Sequence, residues 1–252
     1  SGVIDNQCLS DIEDYYMIPM HKEEALWINF NCLGYEQWPC LVKVSVGMIN
    51  AITGKTSKSD KKKKIQDYMV VPEQPWLDGF KVEDGTVRQF VALERGKGFT
   101  FEEQITNKDK FGGLKVDVCP MKYEVLKNLI ETREDISEPI MEYSVMSYCE
   151  KKSDNTLGMG LGGRITQSIE VDPYEYDSWD FSRKQSVFIN LVSANDWKKL
   201  TGEVIPKRPV TTKKYIEDNF PWFIFDHEKD TKTTKKMSKL KSIKDFDLGI
   251  DE

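Results

Sequence analysis

Histidine and cysteine supply most enzymatic nucleophiles, bases and metal ligands, and this 252-residue chain holds only His21, His227 and five cysteines. A Ser-His-Asp or Cys-His mechanism would have to recruit one of those two histidines. His227 stands in Asp226-His227-Glu228-Lys229-Asp230, which offers ligand types without the spacing of a zinc helix or a calcium loop. The cysteines (Cys8, Cys32, Cys40, Cys119, Cys149) are odd in number and never spaced as Cys-x-x-Cys, so neither a disulfide framework nor a zinc site is expected. Carboxylates are plentiful. Glu102-Glu103, and Glu170 with Asp172, fall on strand-like patterns, and a hydrolase working through such a pair is the third of three functional readings. No residue is assigned a catalytic role, and no metal or cofactor is expected.

Two segments imitate phosphate-binding loops. Gly158-Met159-Gly160-Leu161-Gly162-Gly163 has the spacing G-x-G-x-x-G, but a nucleotide site needs a strand before it and a helix after it. Here a polar run precedes it and Arg164-Ile165-Thr166 follows, so a hairpin or bulge turn is expected, with Arg164 beside it as an anion contact. Thr53-Gly54-Lys55-Thr56 ends like a P-loop, yet Ile49 occupies the position that requires glycine. Lys61 to Lys64 and the lysines after residue 226 read as solvated segments. With a net charge of -6 the whole-chain field does not favour nucleic acid, and with no stretch long and apolar enough to span a bilayer no membrane partner is expected.

Aromatic residues beside polar ones are the better recognition signal. Trp76-Leu77-Asp78-Gly79 and Tyr174-Glu175-Tyr176-Asp177-Ser178-Trp179-Asp180 hold the types that stack on a sugar and hydrogen-bond its hydroxyls. The candidate ligand-binding residues are therefore Trp76, Asp78, Arg164, Tyr174, Tyr176, Asp177 and Trp179. The competing reading makes Trp76 and Trp222, each next to a proline, plugs for the ends of a sandwich.

The elements that would position these residues are mostly strands. From Gln66 to Met121, runs rich in Val, Phe, Thr, Tyr and Ile alternate with turns at Pro72–Pro75, Asp78-Gly79, Asp84-Gly85, Gly96–Gly98 and Gly112-Gly113. Val42, Val44 and Val46 alternate with Lys43 and Ser45 in a further strand. Val125, Leu126, Leu129 and Ile130 sit at helical spacing within 122–135. Strand patterns return at 139–150, 163–171 and 185–193, the last leading into a short helix that Gly202 could end. A brief helix over 211–219 and the apolar knot 220–225 complete the pattern. The fold expected is mainly β: a single antiparallel β-sandwich or jelly-roll-like domain with one or two short amphipathic helices. Its boundaries are an arm over 1–20, one domain over 21–225 and a Lys-rich tail over 226–252.

Several of these segments resemble a recurrent pattern in uncharacterised microbial proteins. The resemblance rests on Tyr68–Pro72, Gln74-Pro75-Trp76-Leu77-Asp78-Gly79, Val87-Arg88-Gln89-Phe90-Val91-Ala92, Gly98-Phe99-Thr100 and Phe111–Leu114, with Gly162-Gly163-Arg164-Ile165 and Phe220-Pro221-Trp222-Phe223 later. It spans most of 20–225, which implies one indivisible unit, and it implies no activity and no catalytic residues. No stretch approaches the roughly 18 apolar residues of a membrane span, and no apolar leader opens the chain, so a cytoplasmic protein is expected. The function expected is a non-catalytic binding or scaffolding module with a protein partner or self-association. A carbohydrate- or small-ligand-binding sandwich is the alternative.

Overall fold

Alternation of Val42, Val44 and Val46 with Lys43 and Ser45 gives residues 40–46 one apolar face, and a strand is how that face reaches a core. The computed structural model describes residues 15–30, 38–56, 65–132, 157–204, 207 and 230–246. The strands there are β1 (Tyr15–Met20), β2 (Ala25–Leu26), β3 (Ile28–Asn29), β4 (Cys40–Val46), β5 (Ile49–Asn50) and β6 (Met69–Val71). They continue with β7 (Trp76–Leu77), β8 (Gly79–Glu83), β9 (Thr86–Glu94), β10 (Leu114–Pro120), β11 (Leu157–Thr166) and β12 (Gln185–Ser193). The helices are α1 (Phe101–Thr106), α2 (Tyr123–Thr132) and α3 (Ala194–Thr201).

The larger sheet runs β1-β12-β10-β4, with β5 and β6 sharing the far edge of β4. All its pairings are antiparallel except β1 with β12. The smaller sheet centres on β9, which pairs with β11 on one edge and with β2 and β8 on the other. β3 and β7 form a separate ribbon. Between the two sheets lies the main core, where Val44, Val46, Leu114 and Leu191 of one sheet meet Phe80, Phe90, Met159 and Leu161 of the other. Phe80 is its hub, edge-on to Phe90 at 4.7 Å and stacked on Phe101 at 4.2 Å. The chain is thus a mainly β protein with a sandwich-like arrangement, as the alternation predicts.

The opposite face of the larger sheet is covered at one end by a second cluster. Leu41, Val70 and Cys119 alternate out of β4, β6 and β10 and pack against Leu126 of α2 and against Trp179. α2 and α3 sit where the helical periods place them, and α3 ends at Gly202 with φ 75°.

Four expectations change. Gly158–Gly163 is no turn: it lies inside β11, and only a register shift between Leu161 and Arg164 keeps the bulge. Glu102-Glu103 lies on helix α1, not on a strand, because Thr100 and Glu103 form a reciprocal capping box that starts a helix there. Glu170 and Asp172 fall beyond β11, Glu170 in an isolated bridge with Asp230 and Asp172 in irregular chain. Residues 15–20 of the expected arm are an edge strand, and residues 230–246 of the expected tail are docked on the core, with Met237 fully buried. The expected strand over 139–150, the helix over 211–219, the knot at 220–225, Lys61–Lys64, Trp222 and His227 lie outside the described residues.

Candidate functional site

Gln74, Trp76 and Asp78 occupy the corner that feeds β7 into β8, and their polar atoms face inward. Gln74 is fully buried; its Oε1 accepts from the Glu170 N–H at 3.0 Å and its Nε2 donates to the Ser168 carbonyl at 3.1 Å. The Trp76 indole N–H donates to Asp78 at 3.2 Å. Gln167 donates to the same Asp78 oxygen at 2.8 Å, while its own Oε1 accepts from the Asp78 N–H at 2.9 Å. Burial pushes the Asp78 carboxyl above the ordinary range, and the Trp76 N–H offsets part of that. Gln74 and Asp78 thus fasten the corner to residues 167–170, and the Trp76 indole braces Asp78.

The same lattice continues into the aromatic loop. Gln66 donates to the Glu170 carbonyl at 2.7 Å and accepts from the Asp172 N–H at 2.9 Å. Asp172 then collects the Tyr68 hydroxyl at 2.6 Å, the Trp179 indole N–H at 2.9 Å and the Tyr174 N–H at 2.8 Å. The Tyr174 hydroxyl donates to Glu73 at 2.6 Å. Burial, reinforced by the Asp172 carboxylate, raises the Tyr68 pKa far above the phenolic range. Trp179 is 1% exposed and packs edge-on to Tyr174 at 5.8 Å. An indole face so enclosed cannot stack on a sugar, and this corrects the expectation for Trp179.

The structure therefore gathers Tyr174, Tyr176 and Trp179 into one cluster, joins Trp76 with Asp78 in another, and places Arg164 elsewhere, paired with Glu83 of β8. Asp177 is exposed. The acids weighed as a catalytic pair serve architecture. Glu102 accepts from the backbone N–H groups of Lys110, Phe111 and Gly112 at 2.9–3.2 Å, and Glu103 caps its own helix. Burial raises the Glu102 carboxyl, and those three N–H groups pull it back. Among the described residues no cluster of His, Cys, Asp and Glu could hold a metal ion. The two described cysteines are Cys119, which is buried, and Cys40, which is half-buried.

Downstream of the aromatic loop the chain opens. A cavity of about 480 Å³ is lined by Val118, Pro120, Ser182, Arg183, Lys184 and Gln185. Val118 and Pro120 end the row of β10 that starts with Leu114 and Val116, so the floor is apolar for the same reason that the core is. The 182–185 wall is held by local bonds. The Asp180 N–H donates to the Pro120 carbonyl at 2.9 Å, and Met121 and Trp179 form an isolated bridge. Asp180 caps the short 3-10 turn Phe181–Arg183 by accepting from the Ser182 N–H at 3.0 Å; its bonds to Ser182 hold its carboxyl below the usual range.

Two cations stand at this wall. Lys184 lies 3.5 Å from Asp117, a carboxylate shared with Lys115 at 2.8 Å and with Ser186. Burial alone would raise Asp117, but Lys115, Ser186 and Lys184 together hold it low. Arg183 is exposed. The preceding residue, Phe181, is 40% exposed and stacks on Tyr176 at 4.8 Å. None of Val118, Pro120 and 182–185 stands out in the sequence. The available signal was adjacency, since Arg183-Lys184 directly follows the aromatic and acidic loop 174–180. No protein-family model, curated protein or solved structure matches this chain.

Proposed function

We propose that the chain is a non-catalytic binding module and that the cavity beside Arg183 and Lys184 takes a small ligand carrying an anionic group. The observation that carries this reading is the cavity itself. Its volume falls in the roughly 300–1,000 Å³ range of small-molecule sites, and its lining joins the apolar Val118 and Pro120 to the polar Ser182, Arg183, Lys184 and Gln185. Arg183 offers a planar fork to a carboxylate or phosphate, and Lys184 offers a point charge. Support also comes from the acids: Asp78, Asp172, Glu102 and Glu103 are all engaged in bonds that hold loops and helix ends. The exposed Phe181 ring, stacked on Tyr176, favours an acidic sugar within this ligand class, because a ring face can cover a pyranose.

Amide-detected NMR titration of the full chain with citrate, phosphate and glucuronate tests the reading. Arg183→Ala should weaken the tightest of them about tenfold, the scale of one lost charge-assisted hydrogen bond. Arg183 is exposed, so the melting temperature should not move. If no probe shifts the amides of 118–120 and 182–185, or if Arg183→Ala leaves affinity unchanged, the cavity reading is wrong.

A further inference from the structure

Residues 230–246 lie across the core as a strap fastened along its length. At its start Asp230 meets the fully buried Lys81 and accepts from the N–H groups of Gly85 at 2.5 Å and Ile169 at 2.8 Å. Thr233 is bonded to Asp84 at 2.8 Å, and the Thr234 hydroxyl donates to the Thr53 carbonyl at 2.9 Å. Met237 then enters the main core. Beyond it, Gln104 and the Lys241 backbone exchange bonds at 3.0 and 2.8 Å, and Phe246 packs on Phe99 with ring centroids 4.5 Å apart.

This anchoring sorts the side chains. Met237, Thr231 and Ser242 turn inward and are buried, while Lys232, Lys235, Lys236, Lys239 and Lys241 are all exposed. None of Lys232, Lys235, Lys236 and Lys239 is paired with a carboxylate among the described residues. The segment holds six lysines against two aspartates, and Asp230 is consumed by Lys81. A chain of net charge -6 therefore displays, on one tethered stretch, a concentrated positive field. All six basic residues are lysine. A lysine ammonium is a strongly hydrated point charge that attracts an anionic surface without geometric demands, whereas arginine is the residue suited to bidentate reading of phosphates and bases.

We infer that the strap is a docking surface for an anionic lipid bilayer, held to it by charge complementarity. Four to eight basic residues close to such a surface are the usual requirement, each worth about 1 kcal/mol, or roughly fivefold in partitioning. Because the strap is already ordered, adsorption does not have to order it first. The contact is peripheral and electrostatic, and it weakens as salt rises.

Sedimentation of the full chain with vesicles tests this, using pure phosphatidylcholine in one set and equal parts phosphatidylcholine and phosphatidylserine in the other. The chain should pellet only with the second set at low salt, and be released by added salt. The variant K235Q/K236Q/K239Q should lose on the order of a hundredfold in partitioning. Its melting temperature should match the parent, since the three ammonium groups are exposed. Equal pelleting with both sets, no pelleting with either, or an unchanged triple variant would each overturn the inference. Tighter binding to duplex DNA or RNA than to the charged vesicles at the same salt, lost in the triple variant, would assign the strap to nucleic acid instead. Arg183→Ala should leave vesicle binding intact, which separates this result from that for the cavity.

Discussion

Lys81 is the residue that most constrains the chemistry of this core, because a fully buried ammonium survives only beside a compensating charge. Asp230 supplies it, 149 residues further along the chain, and its other bonds go to the Gly85 and Ile169 N–H groups. Removing one partner of such a pair costs more than removing both, since the survivor stays buried and charged. Asp230→Ala should therefore destabilise the protein by about 3–5 kcal/mol, read from urea denaturation. Lys81→Met combined with Asp230→Leu should recover most of that loss. A cost below about 1 kcal/mol for the single variant would show that water reaches the Lys81 ammonium. The polar network built on Asp172 is half-buried and is held by the same kind of mutual pairing. Two of its members, Tyr174 and Trp179, look in the sequence like surface recognition residues, and in the fold they join Gln66 and Tyr68 in satisfying Asp172.

Glycine decides how close the elements of the smaller sheet approach. At Gly79, the first residue of β8, an added Cβ would lie 1.9 Å from the Arg88 carbonyl oxygen of β9. Backbone cannot yield as a side-chain tip can, so Gly79→Ala should push β8 off β9 and cost about 1–3 kcal/mol, measured as a lower denaturation midpoint. An unchanged midpoint would mean that β8 can shift without loss. Along β11 the device is repeated more gently. A Cβ on Gly160 would meet Leu93 Cδ1 at 2.1 Å and the Phe99 carbonyl at 3.3 Å, so the bare strand lets the 95–101 segment lie against it. Short glycine spacing looks like a turn when read locally, because glycine favours turns wherever no neighbour is known. Only the partner strand shows that here it serves close packing. Glu102-Glu103 was misplaced for a similar reason: six residues of helix are too few to show a period, and the capping box at Thr100 was the readable sign.

At the scale of the whole molecule, two sheets share one core and the C-terminal strap closes it. Met237→Ala should cost about 2–5 kcal/mol in urea denaturation, a core truncation rather than a change in a tail, and hydrogen exchange of 230–246 should quicken with it. A loss under about 0.5 kcal/mol would show the strap to be dispensable. The β class, the inward face of β4, the helix α2 and the Gly202 stop were legible in the sequence because each follows from a local period or a local backbone preference. The cavity at Val118, Pro120 and 182–185, the burial of Trp179, and the pairing of Lys81 with Asp230 were not. Each depends on residues far apart in the chain, and hydropathy cannot tell a tryptophan on a surface from one under a helix, or a lysine in solvent from one facing a carboxylate. Local periodicity selected the elements; the tertiary contacts decided which polar and aromatic side chains hold the fold and which remain at the surface to bind.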